Sequence, residues 1–259
     1  MLTQTQRARL EVVLVSPRNP LNIGAVARAM ANFGFARLTV VAPYEPHWRE
    51  AQSAAQSAIG AENLLQSAKS TERLAEAVAG CTLVVGTGTL IHRKPEQPVV
   101  NLPELPPGVE KALAEGGRVA LVFGPEKHGL SREDLSYCHL LAEIPTQTQQ
   151  PSMNLGQAVA VCLYELAMRI GRAEPEPDNV RSATKAVAAA ASGDLDLLAG
   201  VIDQVMLAAN YSPASMRQAN QHQLRLFLRR LVLSSRDTRR ILGFFRRVLH
   251  RLQVHRFQD

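Results

Sequence analysis

The chain has 259 residues, of which 46% are hydrophobic and 20% charged; this supports one large packed domain, or a medium domain with an appendage, and excludes general disorder. No stretch of 18 apolar residues occurs, which argues against a membrane span. The net charge of +6 is unevenly placed: residues 211–259 hold eleven arginines against two acids, while the rest carries 18 basic and 21 acidic side chains, so the tail calls for a polyanionic partner, either nucleic acid or an anionic membrane.

The first nine residues are polar and lack the apolar core of a signal sequence. From there to residue 170, short apolar runs alternate with helical patterns. Strands are predicted over 10–16, 38–42, 82–86, 119–124 and 140–144, with a weaker one over 63–66. Helices are predicted over 23–33, 47–57, 71–79, 109–115, 131–137 and 155–170. Near-continuous apolar strands separated by helices imply an α/β fold with a parallel sheet covered on both faces. Cys81, Cys138 and Cys162 lie far apart with no CxxC pair, so neither a disulfide framework nor a zinc cluster is expected, and a reducing cytoplasm is the natural setting.

Residues 171–179 read GRAEPEPDN, a composition that predicts a linker (171–180) between a first domain over 1–170 and a helical extension over 181–259. Helices are predicted over 180–191 and 194–209, followed by two basic helices. Leu224, Phe227, Leu228, Leu231 and Val232 form one apolar stripe at helical spacing; Ile241, Leu242, Phe245, Val248, Leu249 and Leu252 form another. Arg225, Arg229, Arg230, Arg239, Arg240, Arg246, Arg247 and Arg251 fall mostly off those stripes. A solvated face usually accounts for mixed charge, but it accounts less well for a surface of one sign, and these arginines are read as nucleic-acid contacts.

In an open parallel sheet, ligands bind beyond the carboxyl ends of the strands. Three such ends carry unusual loops: LVVGTGT over 83–89, LVFGPEKHGL over 121–130 and IPTQTQQPSMNLGQAV over 144–159. Each alone is ordinary turn chemistry; three together are better explained by a shared pocket. The chain has no GxxxxGK, and GTGTLI lacks the third glycine of GxGxxG, so neither phosphate-binding fingerprint is met. No HExxH, Ser-His-Asp or metal-ligand spacing is found, and His128 alone reads as a surface residue. A pocket built from backbone groups suits a neutral adenine better than a polyphosphate. At the first strand–helix junction, NIGAVARAMANFG over 22–34 places Asn22 where it can cap the helix and Arg28 among small residues that leave room for a bulky, phosphate-bearing partner.

These segments resemble, in order, the three motifs of the SpoU branch of the SPOUT RNA 2′-O-ribose methyltransferases, over residues 10–170. The NIGAVARAMANFG wording, the SMNLGQAV helix start and the arginine-rich extension are most similar to the bacterial branch that methylates cytidine or uridine 32 of tRNA. The resemblance implies a Rossmann-like sheet whose C-terminal part is threaded into a trefoil knot, followed by a small all-helical domain. It implies S-adenosylmethionine bound by Thr87, Gly88, Thr89, Gly124, Ile144, Pro151, Ser152 and Met153, and a homodimer with the site near the interface. Arg28, Asn22, Glu126, Ser152 and Asn154 are the implied catalytic group, with no metal. One departure stands out: Pro151 replaces a family glycine and removes a backbone donor.

The implied reaction is an in-line attack of the ribose 2′-oxygen on the methyl of a sulfonium, which needs alignment and removal of a proton. Arg28 is either that proton's acceptor or a clamp on the adjacent phosphate; the residues alone leave both open. Competing readings are an rRNA 2′-O-methyltransferase, a non-catalytic RNA-binding module, and a flavodoxin-like nucleotide or flavin protein, which the missing phosphate loops disfavour.

Overall fold

The computed structural model describes residues 2–45, 47–48, 50, 60–88, 95–170 and 188–255. Its centre is a seven-stranded sheet of β1 (Leu10–Val15), β2 (Arg37–Val41), β3 (Lys69–Thr71), β4 (Leu83–Thr87), β5 (Val99–Asn101), β6 (Val119–Phe123) and β7 (Leu140–Glu143). The order is β3-β2-β1-β6-β4-β7-β5 and every pairing is parallel. All six residues of β1 are buried because the strand is covered on both faces, which is why it reads as an apolar run broken only at Glu11. Val12 pairs with Leu38 on one side and Leu121 on the other, which sets the register of the central strands. β7 is inserted between β4 and β5, two strands that precede it in the chain.

The helices of the first domain are α1 (Gln4–Arg7), α2 (Pro20–Asn32), α3 (Glu62–Ser67), α4 (Leu74–Val78), α5 (Leu105–Ala114), α6 (Arg132–Leu135) and α7 (Leu155–Arg169). Ile23 and Met30 of α2, Val109 and Leu113 of α5, and Leu163 and Leu166 of α7 fill one face of the sheet. Leu74 and Val78 of α4, with Leu130 and Cys138, fill the other. At the amino end of the sheet, the buried Glu11 is paired with Arg118 at 2.9 Å and Arg37 at 3.6 Å, leaving the carboxyl end free for other chemistry.

Several local expectations are corrected. Residues 63–66 belong to α3 and not to a strand; Leu65 alone is buried there, a one-sided pattern that a helix satisfies. β3 and β5 were not expected: three residues each, exposed at the two edges of the sheet, they carry no apolar run. The helix predicted over 71–79 begins only at Leu74, after β3. Most of the helix predicted over 47–57 lies outside the described residues, as do the predicted linker and residues 180–187 of the helix predicted over 180–191. The remainder of that last helix is extended, with Ala189 bridging Ser234 in antiparallel fashion.

The extension comprises α8 (Ser192–Ala208), α9 (Arg217–Arg230) and α10 (Ser235–His255). Leu198, Ala199 and Val201 of α8 meet Leu228 and Leu242 in its small core. The stripe predicted on α9 is only partly buried. Leu231 and Val232 lie beyond the end of the helix, with Val232 at φ 47°, and Phe227 faces solvent. Leu226 and Arg229 take the buried side instead, because α9 also packs against the first domain.

That packing corrects two predicted nucleic-acid contacts. Arg225 pairs with Glu133 at 2.6 Å, donates to Ser136 Oγ at 3.0 Å, and lies over the Tyr137 ring at 4.8 Å. Arg229 is 3% exposed; it donates to Tyr137 O, Ser192 Oγ and Asp196 Oδ1 at 3.1, 2.8 and 2.9 Å. Both guanidinium groups hold the extension to the first domain and are not offered to a ligand. Arg230, Arg239, Arg240, Arg246 and Arg247 remain exposed.

Candidate functional site

The loops after β4, β6 and β7, three neighbouring strands, converge on one cavity of about 250 Å³. Thr87, Gly88, Gly124, Ile144, Pro151, Ser152 and Met153 line it, as the sequence implied; Thr89 lies outside the described residues. The sequence reading missed Phe123, Pro125, Lys127, His128, Gly129, Thr146, Leu155 and Ala158. His128 is exposed, as its reading as a surface residue has it, and lines the cavity as well.

The local chemistry explains the shape. A Cβ at Gly124 would fall 2.2 Å from Gly129 C and Leu130 N, so only glycine lets the returning turn cross the end of β6. At Gly88 a Cβ would meet no atom within 4 Å, which leaves that strand end open to a ligand. The Thr87 hydroxyl donates to Val122 O at 3.0 Å and ties the end of β4 to β6. Pro151 O accepts from Thr146 Oγ1 at 3.2 Å, folding the third loop back on itself with an acceptor that proline retains.

Beside the cavity runs a chain of polar contacts joining all three motifs. Glu126 accepts from the backbone N–H of Arg18 at 3.2 Å and of Asn19 at 3.1 Å, and from Asn22 Nδ2 at 2.9 Å. Asn22 Oδ1 in turn accepts from Asn154 Nδ2 at 2.8 Å. Asn154 Oδ1 caps α7, accepting from Gly156 N at 2.9 Å. The cap of α2 is Asn19, whose side chain accepts from Leu21 N; the helix starts at Pro20, so Asn22 is already inside it and its amide is free for Glu126 and Asn154. Partial burial alone would raise the Glu126 carboxyl, but the Asn22 amide and the surrounding N–H groups outweigh it and hold the group below the ordinary carboxylate range. No arginine side chain pairs with Glu126 among its described partners.

Ser152 is exposed at the mouth of the cavity. Arg28 is not brought to it. It lies on the exposed side of α2, outside the lining, with no hydrogen bond or ion pair among the described residues. Among those residues no cluster of three metal-ligating side chains occurs, and no helix is long and apolar enough to cross a membrane.

A family model described as the SpoU rRNA Methylase family matches residues 9–164. The tRNA (cytidine/uridine/adenosine-2′-O-)-methyltransferase TrmJ of Pseudomonas aeruginosa is 38% identical over 170 residues, 65% of this chain; the match spans 64% of that relative's length. The tRNA (cytidine/uridine-2′-O-)-methyltransferase TrmJ of Pectobacterium atrosepticum is 32% identical over 94% of this chain and 96% of its own. The crystal structure of TrmJ from Z. mobilis ZM4 superposes with a TM-score of 0.78 at 28% identity, covering 93% of this chain and 99% of that one.

Proposed function

The chain belongs to the SpoU methylase family, and we propose that it methylates a ribose 2′-oxygen of tRNA, at position 32 of the anticodon loop, with S-adenosylmethionine as donor. The observation that carries this is the convergence of three glycine- or proline-bearing loops on one cavity, with a polar chain through Glu126, Asn22 and Asn154 alongside. The names of the full-length relatives support tRNA as the substrate.

The cavity fits such a donor. Phe123, Ile144, Met153 and Leu155 offer apolar walls to an adenine face, while the turns at Gly88 and Gly124 present backbone groups to its edges. Thr87, Gly88, Gly124, Ile144 and residues 151–153 would hold it, with Thr89 completing the set. When bound, the donor supplies a methyl group made electrophilic by a sulfonium charge. What the chain supplies is alignment. Glu126 stays ionised at neutral pH and acts as a positioning residue: it anchors the first turn of α2 and, through Asn22, the Asn154 cap that fixes the third loop. Arg28 is a clamp for the phosphate flanking the acceptor ribose, since an exposed guanidinium carries donors and no acceptor.

The site is completed by a second copy of the chain. Arg28 lies outside its own cavity, while Leu21, Val161 and Tyr164 on α2 and α7 are exposed at 61%, 37% and 54% and form an apolar face. A homodimer across that face would bring Arg28 to the partner's cavity. The insertion of β7 between two earlier strands supports the trefoil knot that the resemblance implies.

The test is mass spectrometry of tRNA and rRNA incubated with the protein and isotopically labelled S-adenosylmethionine. Labelled 2′-O-methylcytidine or 2′-O-methyluridine from tRNA is expected. Label confined to rRNA would move the substrate to the class that the family description names. No label, together with no heat of donor binding by calorimetry, would leave an RNA-binding module.

A further inference from the structure

α10 carries a residue that the fold does not explain. Gly243 is the ninth of the 21 residues of this helix, far from either end. Glycine is the poorest helix former after proline, and a Cβ placed there meets no heavy atom within 4 Å. Neither close packing nor a turn calls for it. At 3.6 residues per turn, Gly243 is flanked by Arg239 and Arg240 one turn before and by Arg246 and Arg247 one turn after. All four are exposed, and among the described residues none is paired with an acid. Arg239 Nε donates to Ser235 O at 3.1 Å, which steadies one of them. The apolar stripe of the helix, through Ile241, Leu242 and Phe245, is packed in the extension's core, so Gly243 faces away from it. Phe244, its neighbour, is 64% exposed.

Resting on the RNA-methylating reading above, we infer that the bare helix surface at Gly243, ringed by Arg239, Arg240, Arg246 and Arg247, seats a phosphodiester of the RNA backbone, with Phe244 beside it as a stacking surface for an unpaired base. Without a Cβ, a phosphate reaches the helix surface and lies within the span of four planar donor groups. A side chain there pushes the phosphate outward. An exposed aromatic at the edge of an arginine cluster is how unpaired bases are held without sequence readout. A bilayer is disfavoured as the occupant because the helix would have to offer it an apolar face, and that face is taken by α8.

The test uses the full chain and a fluorescently labelled tRNA transcript, with anisotropy across a salt titration and a thermal melt of each variant. Gly243→Ala and Gly243→Leu should melt no lower than the parent, since both are better helix formers. Their affinity should nevertheless fall, by about tenfold for Gly243→Leu, with the salt slope reduced by about one phosphate contact. Phe244→Leu should weaken binding and leave the slope unchanged. A merely structural glycine predicts a change in melting alone, so stable Gly243 variants that bind as the parent overturn the seat. An Arg240→Ala, Arg247→Ala double variant separates the two levels. Binding lost there but kept in the Gly243 variants removes the seat and leaves the RNA reading standing. A parent chain that binds no tRNA at all overturns both. Gly243→Leu losing affinity for phosphatidylserine vesicles but not for tRNA overturns the RNA seat in favour of a membrane.

Discussion

His139 stands immediately before β7, the strand that leads to Ile144 in the cavity wall, and its protonation tests how that strand is held. Its Nδ1 accepts the Val84 N–H at 3.1 Å, and its own backbone N–H donates to Val84 O at 2.8 Å. Burial, reinforced by the Arg229 charge, pushes the imidazole down to about 3 from its ordinary 6.5. In the unfolded chain it titrates normally, so its contribution to stability is fully present above pH 6.5 and is lost as pH falls through 6.5 toward 3. Each pH unit below the unfolded value costs about 1.4 kcal/mol, so lowering the pH from about 7 to about 5.5 removes roughly 1 kcal/mol. His139→Asn keeps an acceptor for Val84 N–H and removes the titration. Urea unfolding of both chains at the two pH values isolates the difference, because every other titrating group cancels. The parent should lose roughly 1 kcal/mol more than the variant. Equal losses would mean that the imidazole charges in place, and that the bond to Val84 is not what holds β7 to β4.

Arg28→Ala should abolish methylation while donor binding by calorimetry is retained. Mixing Arg28→Ala chains with cavity-blocked Gly88→Leu chains should restore about a quarter of parental activity if each site is shared between two copies; no recovery would place Arg28 in its own chain's site. Removing residues 180–259 should weaken tRNA binding and flatten its salt dependence; an unchanged salt titration would take the extension out of recognition. Arg229→Ala leaves Asp196 and Ser192 without their partner and should destabilise the docked extension by about 3 kcal/mol, read by hydrogen exchange in α8 and α9. Protection equal to the parent's would show that the buried guanidinium does not hold the two parts together.

What was legible in the sequence follows burial. β6, and β1 apart from Glu11, are apolar along their length because both faces are covered, and the loops after them stand out by contrast. β3 and β5 sit at the edges with exposed residues and leave no pattern to read. The cavity loops were legible because Gly88 and Gly124 directly follow strands and Pro151 interrupts the polar loop before α7, whereas Leu155 and Ala158 look like any helix interior. Asn22 was misjudged as a cap because Pro20 moves the start of α2 one turn upstream, to Asn19. Arg229 was illegible for a different reason. Its partners Tyr137 and Asp196 lie 92 and 33 residues away, and nothing local distinguishes a buried arginine from an exposed one.

The arginines of the extension therefore divide by physics more than by position. Arg229 is buried and Arg225 partly so; they pair with Asp196 and Glu133, and both guanidinium groups lie over the Tyr137 ring. Asp196 ties Arg229 to α8 within the extension, whereas the Arg225 pair with Glu133 and the Arg229 bond to Tyr137 O reach the first domain and set where α9 sits. The surface they select is α6 and the residues just after it, and α6 follows directly from the loop through Gly129 that lines the cavity. The exposed arginines of α10 thereby acquire a fixed distance to the cavity. An RNA held at both points would have its ribose delivered by a rigid frame, and a few ångströms of slack in that frame would cost rate without touching a single cavity residue. Two arginines taken up in docking the extension are in this way what makes the exposed ones useful.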